Sequence, residues 1–379
     1  MSRQTDRRFT DCIHAGERHL PAEFGVNTPI VSSSAFDYRG DGVRYPRYHN
    51  TLNHEVVARR IAALDGAEAG LVLASGMGAI SAVFLALMKP GDHAILLDGL
   101  YGGTMDLVHG LLEPLNMTFS IWDGEPANLA GLIQDNTRLV HLESPTNPLM
   151  TVVDLRATAA VCREHGLVSV IDSTFASPIC QQPIALGFDL VMHSATKYLG
   201  GHSDLLCGTL AGSQTLIDRI LPTVIRLGAS LNGTDLALLE RSIKTLPVRV
   251  TQQSHNATAL AAFLDDHSSI AAVHYPGLAS HPGHAIAARQ MQPFGAMLSF
   301  QLAKSMDPER FLDRLQMIRP AISLGGVEST IGQPALSSHA KLSAEERARL
   351  GIDERLMRLS VGLEAIDDLI ADIEQALNH

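Results

Sequence analysis

Short apolar runs alternate with amphipathic stretches between about residues 55 and 210, and this alternation predicts a mostly parallel β-sheet covered by helices. Six runs have strand character: 70–74, 93–98, 118–122, 138–143, 168–172 and 190–193. In an open α/β sheet, ligands bind at the carboxyl ends of the strands. Polar residues stand at four of these ends, either as site residues or as ordinary strand caps and turn formers: Asp98, Glu143, Asp172 and His193.

The chain on either side of this region follows a different pattern. Residues before about 45 lack periodicity, so we expect an extended arm that packs on another surface. Beyond about residue 245, long helical segments alternate with strand-like runs at 271–274, 296–302 and 356–361, and a final helix is predicted over 364–378. We therefore expect three parts: an N-terminal arm over 1–50, a main domain over 51–245 and a smaller C-terminal α+β domain over 246–379.

One uncharged stretch, residues 69–88, has about the length of a membrane span. It divides into a short strand, a glycine-rich turn at 75–78 and a helix that ends before Lys89-Pro90-Gly91. Neither half is long enough to cross a bilayer, so we predict no membrane partner.

Composition narrows the class of protein further. The 379 residues are 46% hydrophobic and 18% charged, which suits a globular fold with large cores, and the formal net charge of −11 argues against a nucleic-acid binder. The four cysteines form no Cys-x-x-Cys pair, and residues 1–10 lack the apolar core of a secretory signal, so we expect a cytoplasmic protein. The 17 histidines are scattered without a His-Glu-x-x-His motif, so no metal site is predicted.

The turn Ser75-Gly76-Met77-Gly78, between a strand and a helix, has the composition of a phosphate-binding site. Glycines allow close approach of the backbone, and a helix N-terminus presents unpaired N–H groups. One interpretation is a dinucleotide-binding fold, because Gly76-x-Gly78-x-x-Ser81 nearly fits its fingerprint and Asp98 follows about 20 residues later. The third glycine of that fingerprint is missing here. The competing interpretation is that the turn binds the single phosphate of pyridoxal 5′-phosphate (PLP).

A PLP enzyme needs a lysine that bonds to the cofactor and a carboxylate that keeps the pyridine nitrogen protonated. Lys197 follows a strand and is flanked by small, hydroxyl and glycine residues, with Ser194 and Thr196 as donors to a phosphate. Asp172, at the end of the preceding strand, is the candidate partner of the pyridine nitrogen. This set of parts favours PLP over a nicotinamide dinucleotide.

The same segments resemble the Cys/Met-metabolism family of PLP-dependent enzymes, which includes cystathionine γ-lyase, cystathionine β-lyase, cystathionine γ-synthase and methionine γ-lyase. The resemblance runs nearly end to end, through Ile13-His-Ala-Gly16, Tyr45-Pro-Arg47, Ser75-Gly-Met77, Tyr101-Gly-Gly-Thr104, Glu143-Ser-Pro-Thr-Asn-Pro148, Asp172-Ser-Thr174, residues 193–204, Tyr275-Pro-Gly-Leu278, Ser323-Leu-Gly-Gly-Val-Glu-Ser329 and Arg358-Leu-Ser-Val-Gly-Leu-Glu364. The lysine segment within 193–204 is the most specific of these. The resemblance implies the type I fold of PLP-dependent transferases, an α/β fold with a mostly parallel central sheet and a smaller C-terminal α+β domain.

The resemblance also implies a role for each matched position around the cofactor ring. Lys197 would bond to the cofactor, and Asp172 would pair with its pyridine nitrogen. Tyr101 would stack on one face of the ring and Thr174 would lie against the other. Asn147 would contact the phenolic oxygen.

Further implied roles concern the phosphate and the substrate. The phosphate would be held by Gly76, Met77, Ser194 and Thr196 and, from a neighbouring subunit, by Tyr45 and Arg47. Arg358 would bind the α-carboxylate of the substrate beside Ser323. Because such a site is shared between subunits, the resemblance implies a homodimer at least, and a pair of dimers is usual in the family.

The family pattern gives divided information about the substrate. Cystathionine γ-lyases and γ-synthases commonly carry a glutamate just before the serine at 323, whereas this chain has Ile322, which favours a substrate with an apolar distal end. Methionine γ-lyases typically have a cysteine where this chain has Gly103, as the cystathionine enzymes do. The chain also reads Asn50-Thr51-Leu52 near the site entrance, where the family often reads Asn-Pro-Thr.

We predict a PLP-dependent carbon–sulfur lyase of sulfur amino-acid metabolism. The predicted reaction is γ-elimination on a methionine- or cystathionine-type substrate, which releases 2-oxobutyrate, ammonia and a thiol. The alternatives within the family are a cystathionine β-lyase and a γ-replacement synthase such as cystathionine γ-synthase or O-acylhomoserine sulfhydrylase. An NAD-dependent oxidoreductase is the alternative from another class of enzyme.

Overall fold

Two β-sheets of different size organise the computed structural model, which describes residues 7–16, 25–40, 42–340 and 343–378. Within these residues the larger sheet has seven strands: β1 (Ala69–Leu73), β2 (His93–Leu97), β3 (Thr118–Trp122), β4 (Thr137–Glu143), β5 (Val168–Asp172), β6 (Leu190–His193) and β7 (Gly208–Gly212). Their order across the sheet is β1-β7-β6-β5-β4-β2-β3. Neighbours among β2 to β6 run parallel, whereas β7 is antiparallel to both β1 and β6. The prediction of a mostly parallel sheet is confirmed.

The six predicted strands are present to within a residue at each end, but β7 was not predicted from the sequence. All five of its residues are buried, and close packing explains its composition. A Cβ atom on Gly208 would lie 2.1 Å from the carbonyl oxygen of Ser75, and one on Gly212 would lie 2.6 Å from Cδ2 of Leu190. The strand therefore has to be built from small residues, which carry little strand signal.

The smaller sheet is formed by chain segments after residue 265. Its strands are β8 (Ile270–His274), β9 (Met297–Leu302), β10 (Arg319–Pro320), β11 (Thr330–Gly332) and β12 (Leu356–Ser360), in the order β10-β11-β12-β9-β8. Only β10 and β11 are parallel. The three longer strands match the predicted runs, while β10 and β11 are too short to show a period of two. An α/β fold with a smaller C-terminal α+β part is thus confirmed, and the domain limits near residues 50 and 245 stay a prediction.

Helices cover both sheets. They are α1 (Arg8–His14), α2 (Leu52–Asp65), α3 (Gly76–Leu87), α4 (Gly102–Leu107), α5 (Pro126–Leu129), α6 (Leu155–Glu164), α7 (Ser177–Cys180), α8 (Pro183–Leu186), α9 (Gln214–Leu227), α10 (Gly233–Ile243), α11 (Leu246–Asp265), α12 (His284–Gln290), α13 (Pro308–Arg314), α14 (Ala344–Arg349) and α15 (Ile366–Leu377). Helices α3, α6, α9 and α10 are each preceded by an N-cap residue whose side chain accepts a hydrogen bond from a backbone N–H of the first turn: Ser75, Asp154, Ser213 and Asn232. The final helix, predicted from its apolar face, is confirmed.

The uncharged stretch 69–88 divides as predicted, because β1 ends at Leu73 and α3 begins at Gly76. Within the residues that the structure describes, no helix is both long enough and apolar enough to span a bilayer.

The N-terminal region contains one short helix that the sequence pattern did not reveal. Helix α1 packs on its own chain, where Arg60 of α2 donates hydrogen bonds to the carbonyl oxygens of Cys12 and Ala15, both at 3.1 Å. Seven residues are too few to display a helical period. Residues 1–6, 17–24 and 41 of the predicted arm lie outside the described residues, and contact of this arm with a neighbouring subunit stays a prediction.

All four cysteines are buried and unpaired: Cys12, Cys162, Cys180 and Cys207. Burial raises the pKa of the first three thiols to about 12, and it raises the pKa of Cys207 as well. None of the four is therefore a reactive thiolate near neutral pH.

The close crossing of β7 over the Ser75 turn gives a test of the fold. Gly208→Ala is expected to lower the free energy of unfolding by roughly 3 kcal/mol, because the added methyl group overlaps a backbone carbonyl. Urea denaturation measures the change. The matched control is Gly131→Ala, where a Cβ atom meets nothing within 4 Å and the effect should be roughly 0.5 kcal/mol or less. Equal stability of the two variants would contradict the packing described for β7.

Candidate active site

A cavity of about 460 Å³ opens at the carboxyl edge of the larger sheet and reaches the smaller sheet. It brings together most of the residues singled out from the sequence: Gly76, Met77, Tyr101, Asn147, Asp172, Thr174, Ser194, Thr196, Lys197, Ile322, Ser323 and Arg358. They come from segments spread over nearly 300 residues of the chain. Tyr45 and Arg47 do not line this cavity.

Lys197 lies four residues beyond the end of β6, in the turn that precedes β7. Its Nζ donates a hydrogen bond to Oγ of Ser323 at 2.6 Å. Burial, and next the positive charge of Arg358, lower the pKa of Lys197 to about 8. Roughly a tenth of this amine is therefore neutral at pH 7, far more than for an ordinary lysine, which suits a nucleophilic or proton-accepting group.

Asp172 ends β5 and points into the cavity from a buried position. One oxygen, Oδ1, accepts the backbone N–H of Thr174 at 2.9 Å. Burial raises the pKa of Asp172, although the hydrogen bonds from Thr174 and the charge of His193 oppose the rise. The Thr174 hydroxyl in turn accepts the backbone N–H of Ser194 at 2.8 Å, which ties the lysine turn to the end of β5.

Glu143 is a further residue of the cavity wall. It ends β4 and stands directly beside Asp172 in the register of the two strands. Its carboxyl group accepts the backbone N–H groups of Asn147 at 2.8 Å and Tyr101 at 3.2 Å. Burial, and next the charge of Asp172, raise the pKa of Glu143 to about 8. Its position at a strand end was noted in the sequence, but nothing there distinguished it from a turn former.

Arg358 reaches the cavity from β12 of the smaller sheet. Its Nη1 donates to Oδ1 of Asn147 at 3.0 Å and its Nη2 to the carbonyl oxygen of Ser323 at 3.3 Å. Burial lowers the pKa of this guanidinium, but the group stays charged in proteins. These two bonds use two of its five N–H donors and fix its plane, so the remaining donors are available for an anion in the cavity.

Ser323 adopts an unusual backbone conformation for a residue other than glycine, with φ of 77°. Such a conformation is strained and is found mainly where function requires it. Here it directs the carbonyl oxygen of Ser323 to Arg358 and its hydroxyl group to Lys197. One residue of the smaller sheet region thus orients both cations of the site.

The first turn of α3 forms one end of the cavity. The hydroxyl of Ser75 accepts the backbone N–H of Gly78 at 3.0 Å, while the first N–H groups of any helix lack partners within the helix. A Cβ atom on Gly76 would lie 3.0 Å from Cβ of Ser194, so the helix start and the lysine turn are in close contact. The Thr196 hydroxyl is also bonded to the backbone of Cys207, at 3.2 Å to its oxygen and 3.0 Å to its nitrogen.

The mouth of the cavity is apolar and open. Tyr101 is 44% exposed, Leu206 63% and Ile322 82%. A Cβ atom on Gly103 would lie only 2.5 Å from Cε1 of Tyr101, so the tyrosine ring occupies the space that a side chain at 103 would need. Gly103 is therefore explained by packing in this chain.

Tyr45 and Arg47 lie on the surface, away from the cavity of their own chain. Arg47 donates from Nη1 to the carbonyl oxygen of Ile225 at 3.0 Å and lies over the rings of Tyr45 and Tyr48. Their predicted contact with the phosphate at a neighbouring subunit's site stays a prediction.

Asp98, the acidic residue that the dinucleotide interpretation requires, interacts with a residue outside the main cavity. Asp98 forms an ion pair with Arg349, with Nη2 of the arginine 3.1 Å from Oδ1, and it lines a separate cavity. It does not reach the Gly76 turn cavity.

The donor set of the main cavity fits PLP. A primary amine of lowered pKa stands opposite a buried carboxylate, and the helix start beside Ser194 is suited to a phosphate. The buried carboxyl group of Asp172 has no cation of the cavity hydrogen-bonded to it among the described residues, so a protonated ring nitrogen would complete its environment.

Similarity to known proteins agrees with this geometry. Residues 9–378 match the family described as Cys/Met metabolism PLP-dependent enzyme. A cystathionine beta-lyase of Lactococcus lactis subsp. cremoris (strain MG1363) is 40% identical over 97% of this chain and 98% of its own length. An L-methionine gamma-lyase of Pseudomonas putida is 43% identical over 92% of this chain and 89% of its own.

A solved structure gives the same result for the fold. The crystal structure of cystathionine gamma-lyase from Lactobacillus plantarum complexed with L-serine superposes with a TM-score of 0.93 at 38% identity, covering 97% of this chain and 98% of that one. The NAD-dependent alternative is therefore wrong, and PLP is the cofactor. The chain belongs to the Cys/Met metabolism PLP-dependent enzymes, a family of lyases and synthases that act in sulfur amino-acid metabolism.

Proposed function

We propose that this protein is a carbon–sulfur lyase that acts by γ-elimination on thioether amino acids with an apolar distal group, as methionine has. The observation that carries this choice is the apolar mouth of the cavity, formed by Ile322 and Leu206. The relatives named above include a β-lyase and γ-lyases at nearly equal identity, so overall similarity does not select the reaction.

The distribution of charge in the cavity supports an apolar distal group. Apart from Tyr101, the ionisable side chains that line it are all buried or half-buried: Glu143, Asp172, Lys197 and Arg358. A distal ammonium group near Ile322 would find no carboxylate partner in the residues that form the mouth. A methylthio group would bury apolar surface at the same place.

Arg358 is proposed to bind the α-carboxylate of the substrate. Its guanidinium plane is fixed by Asn147 and Ser323, and Arg–carboxylate pairs favour a two-pronged geometry. Glu143 supports this contact indirectly: its carboxyl group accepts a hydrogen bond from the backbone N–H of Asn147 and so holds the asparagine in place. The substrate is thus oriented with its side chain toward the mouth.

PLP, when bound, supplies an electron sink that acidifies the α C–H bond of an amino acid. We assign its ring nitrogen to Asp172, its phosphate to the α3 start with Ser194 and Thr196, and its ring faces to Tyr101 and Thr174. Asn147 is proposed to contact its phenolic oxygen.

Lys197 is the proposed proton carrier. Its amine accepts the proton from the substrate Cα, and the hydrogen bond with Ser323 orients Nζ for this task. In γ-elimination a second proton has to leave Cβ, and the same amine is placed to move it. Tyr101, at the open side, is proposed to assist the departing sulfur atom.

We also propose that the enzyme is a homotetramer of the cytoplasm in which each site receives Tyr45 and Arg47 from a neighbouring subunit. The exposure of both side chains on their own chain supports this arrangement. Arginine binds phosphate through paired donors, which suits Arg47 to the role.

A cystathionine-directed reaction is the second candidate, and Gly103 favours it because the cystathionine enzymes share this glycine. Its fit against the Tyr101 ring, however, gives the glycine a packing reason that is independent of the substrate.

The reaction is tested by identifying the keto acid released from L-methionine and from L-cystathionine by the purified enzyme. We expect 2-oxobutyrate from both, with L-methionine as the better substrate, because the mouth offers no charge to the distal ammonium of cystathionine. Pyruvate from cystathionine would establish β-elimination instead. Release of neither keto acid would point to γ-replacement on an O-acylated homoserine, with a thiol as co-substrate.

The role of the mouth is tested with Ile322→Glu. The introduced carboxylate should shift the ratio of kcat/KM values toward cystathionine by about tenfold, which corresponds to roughly 1.4 kcal/mol. Val248→Glu, a change of the same kind at an exposed position of α11, is the control and should leave the ratio unchanged. An unchanged ratio in Ile322→Glu would contradict an apolar distal subsite.

The lowered pKa of Lys197 predicts how the apoprotein takes up PLP. Only the neutral amine reacts, so the rate of PLP incorporation should rise with pH and reach half its maximum near pH 8, where an ordinary lysine would titrate near 10.5. Absorbance of the bound cofactor measures the rate.

Two alanine variants complete this test. Lys197→Ala should abolish both turnover and stable retention of PLP, whereas Lys304→Ala, at an exposed lysine, should change neither. Turnover by Lys197→Ala, or a midpoint near 10.5 in the unsubstituted protein, would remove Lys197 from its proposed role.

A further inference from the structure

Three neighbouring parallel strands end in ionisable side chains: Glu143 on β4, Asp172 on β5 and His193 on β6. A fourth ionisable side chain, that of Asp65, lies at the end of helix α2 and contacts His193. All four are buried. We call this set the charge row. The proposed mechanism uses Asp172 directly and Glu143 through Asn147, and it gives the Asp65–His193 pair no role.

The contact between Asp65 and His193 is the most deeply buried ion pair of the row. Nε2 of His193 lies 3.0 Å from Oδ1 and 3.3 Å from Oδ2 of Asp65, and neither side chain has any exposed surface. A buried carboxylate that lacks a positive partner is strongly unfavourable. A neutral or a cationic imidazole can donate this hydrogen bond from Nε2, and the cationic form gives Asp65 a positive partner.

The electrostatic environment of His193 agrees with this form. Burial alone would lower the pKa of His193, but the charge and hydrogen bond of Asp65, and next the charge of Asp172, raise it overall. Asp172 is thus the second anion that faces this imidazole.

Asp172 has a different neighbour on its other side. Glu143, in register on β4, is the carboxyl group whose pKa is raised to about 8, with Asp172 as the second cause after burial. Two adjacent buried carboxyl groups do not both ionise readily. Lys197 and Arg358 are the cations that face the pair from the cavity. The charge of His193 opposes the rise in the pKa of Asp172, whereas the charge of Asp172 adds to the rise in the pKa of Glu143, so Asp172 is the carboxyl group of the pair that is favoured to ionise.

We propose that the Asp65–His193 pair keeps Asp172 ionised. The pair thereby strengthens the interaction between the Asp172 carboxylate and the protonated ring nitrogen of PLP. This inference rests on the role assigned to Asp172 in the proposed function. In this arrangement the imidazole of His193 lies between two carboxyl groups, that of Asp65 and that of Asp172, and Glu143 is the next group along the row. His193 and Asp65 act through Asp172 and do not line the cavity.

The test uses Asp65→Asn, which preserves the shape of the side chain and a hydrogen-bond acceptor for His193 but removes the negative charge. The dissociation constant of PLP from the apoprotein is measured by titration at several pH values. Loss of the His193 charge should raise the pKa of Asp172, so the dissociation constant is expected to increase about tenfold near neutral pH and more as the pH falls. In the unsubstituted protein the constant should change less over the same pH range.

A PLP analogue separates the charge effect from a structural one. In the carbocyclic analogue, a C–H group replaces the ring nitrogen, so Asp172 has no proton to pair with. Asp65→Asn should therefore leave the dissociation constant of this analogue unchanged. Equal weakening of PLP and of the analogue would overturn the inference, because it would indicate distortion of the site.

Matched variants make the outcome decisive. Asp372→Asn also removes a buried carboxyl group, one that accepts the backbone N–H groups of residues 316–318, and it should lower stability without altering the pH dependence of PLP binding. Asp65→Glu, which restores the charge, should restore most of the affinity. If Asp65→Asn fails to fold, His193→Gln keeps a donor for Asp65 without the positive charge and is expected to weaken PLP binding in the same way.

Asp172→Asn distinguishes failure of this inference from failure of the function assigned to Asp172. Unchanged PLP affinity in Asp172→Asn would remove Asp172 from its role at the ring nitrogen. Suppose instead that Asp172→Asn weakens PLP binding but neither Asp65→Asn nor His193→Gln does. That result would contradict the role of the Asp65–His193 pair and leave the role of Asp172 intact.

Discussion

The burial of ionisable groups at the carboxyl edge of the larger sheet is the constraint on which the site depends. Parallel strands of similar register end at one level, so the residues that follow them meet whether or not their charges are compatible. Each buried group then needs a specific partner. Backbone N–H groups serve Asp172 and Glu143, and a hydroxyl group serves Lys197. The positions of the loops follow from these needs, since the loops supply the partners.

The smaller sheet is tied to this edge by its polar groups. Arg358 and the Ser323 segment cross to the larger sheet through Asn147 and Lys197. The strained backbone at Ser323 is maintained because two separate hydrogen bonds require it. A shift of one sheet relative to the other would therefore alter the lysine and the arginine together, which couples the placement of the two groups.

The sequence was informative where local pattern and chemistry coincide. Strands β3, β5 and β6 were located from short apolar runs, and Lys197 was identified because a lysine among small and hydroxyl residues is unusual after such a run. The strand β7 was not predicted because close packing requires a glycine at each end, against the Ser75 turn at Gly208 and against Leu190 at Gly212. Glu143 of the cavity wall and His193 behind it stand at strand ends and within segments that resemble the family, but the sequence assigned neither a role. Each of them interacts with a residue on another strand or helix, Glu143 with Asp172 and His193 with Asp65. A single sequence does not show which distant residues are in contact.

The four buried cysteines have a consequence for an enzyme whose product is a thiol. Thiol–disulfide exchange begins with attack by a thiolate, and the thiols of this chain are kept both protonated and inaccessible. A disulfide formed by external oxidation of a released thiol could exchange with these cysteines only after unfolding exposes them. The cysteines of the folded enzyme are therefore expected to stay reduced even where its product has been oxidised to a disulfide.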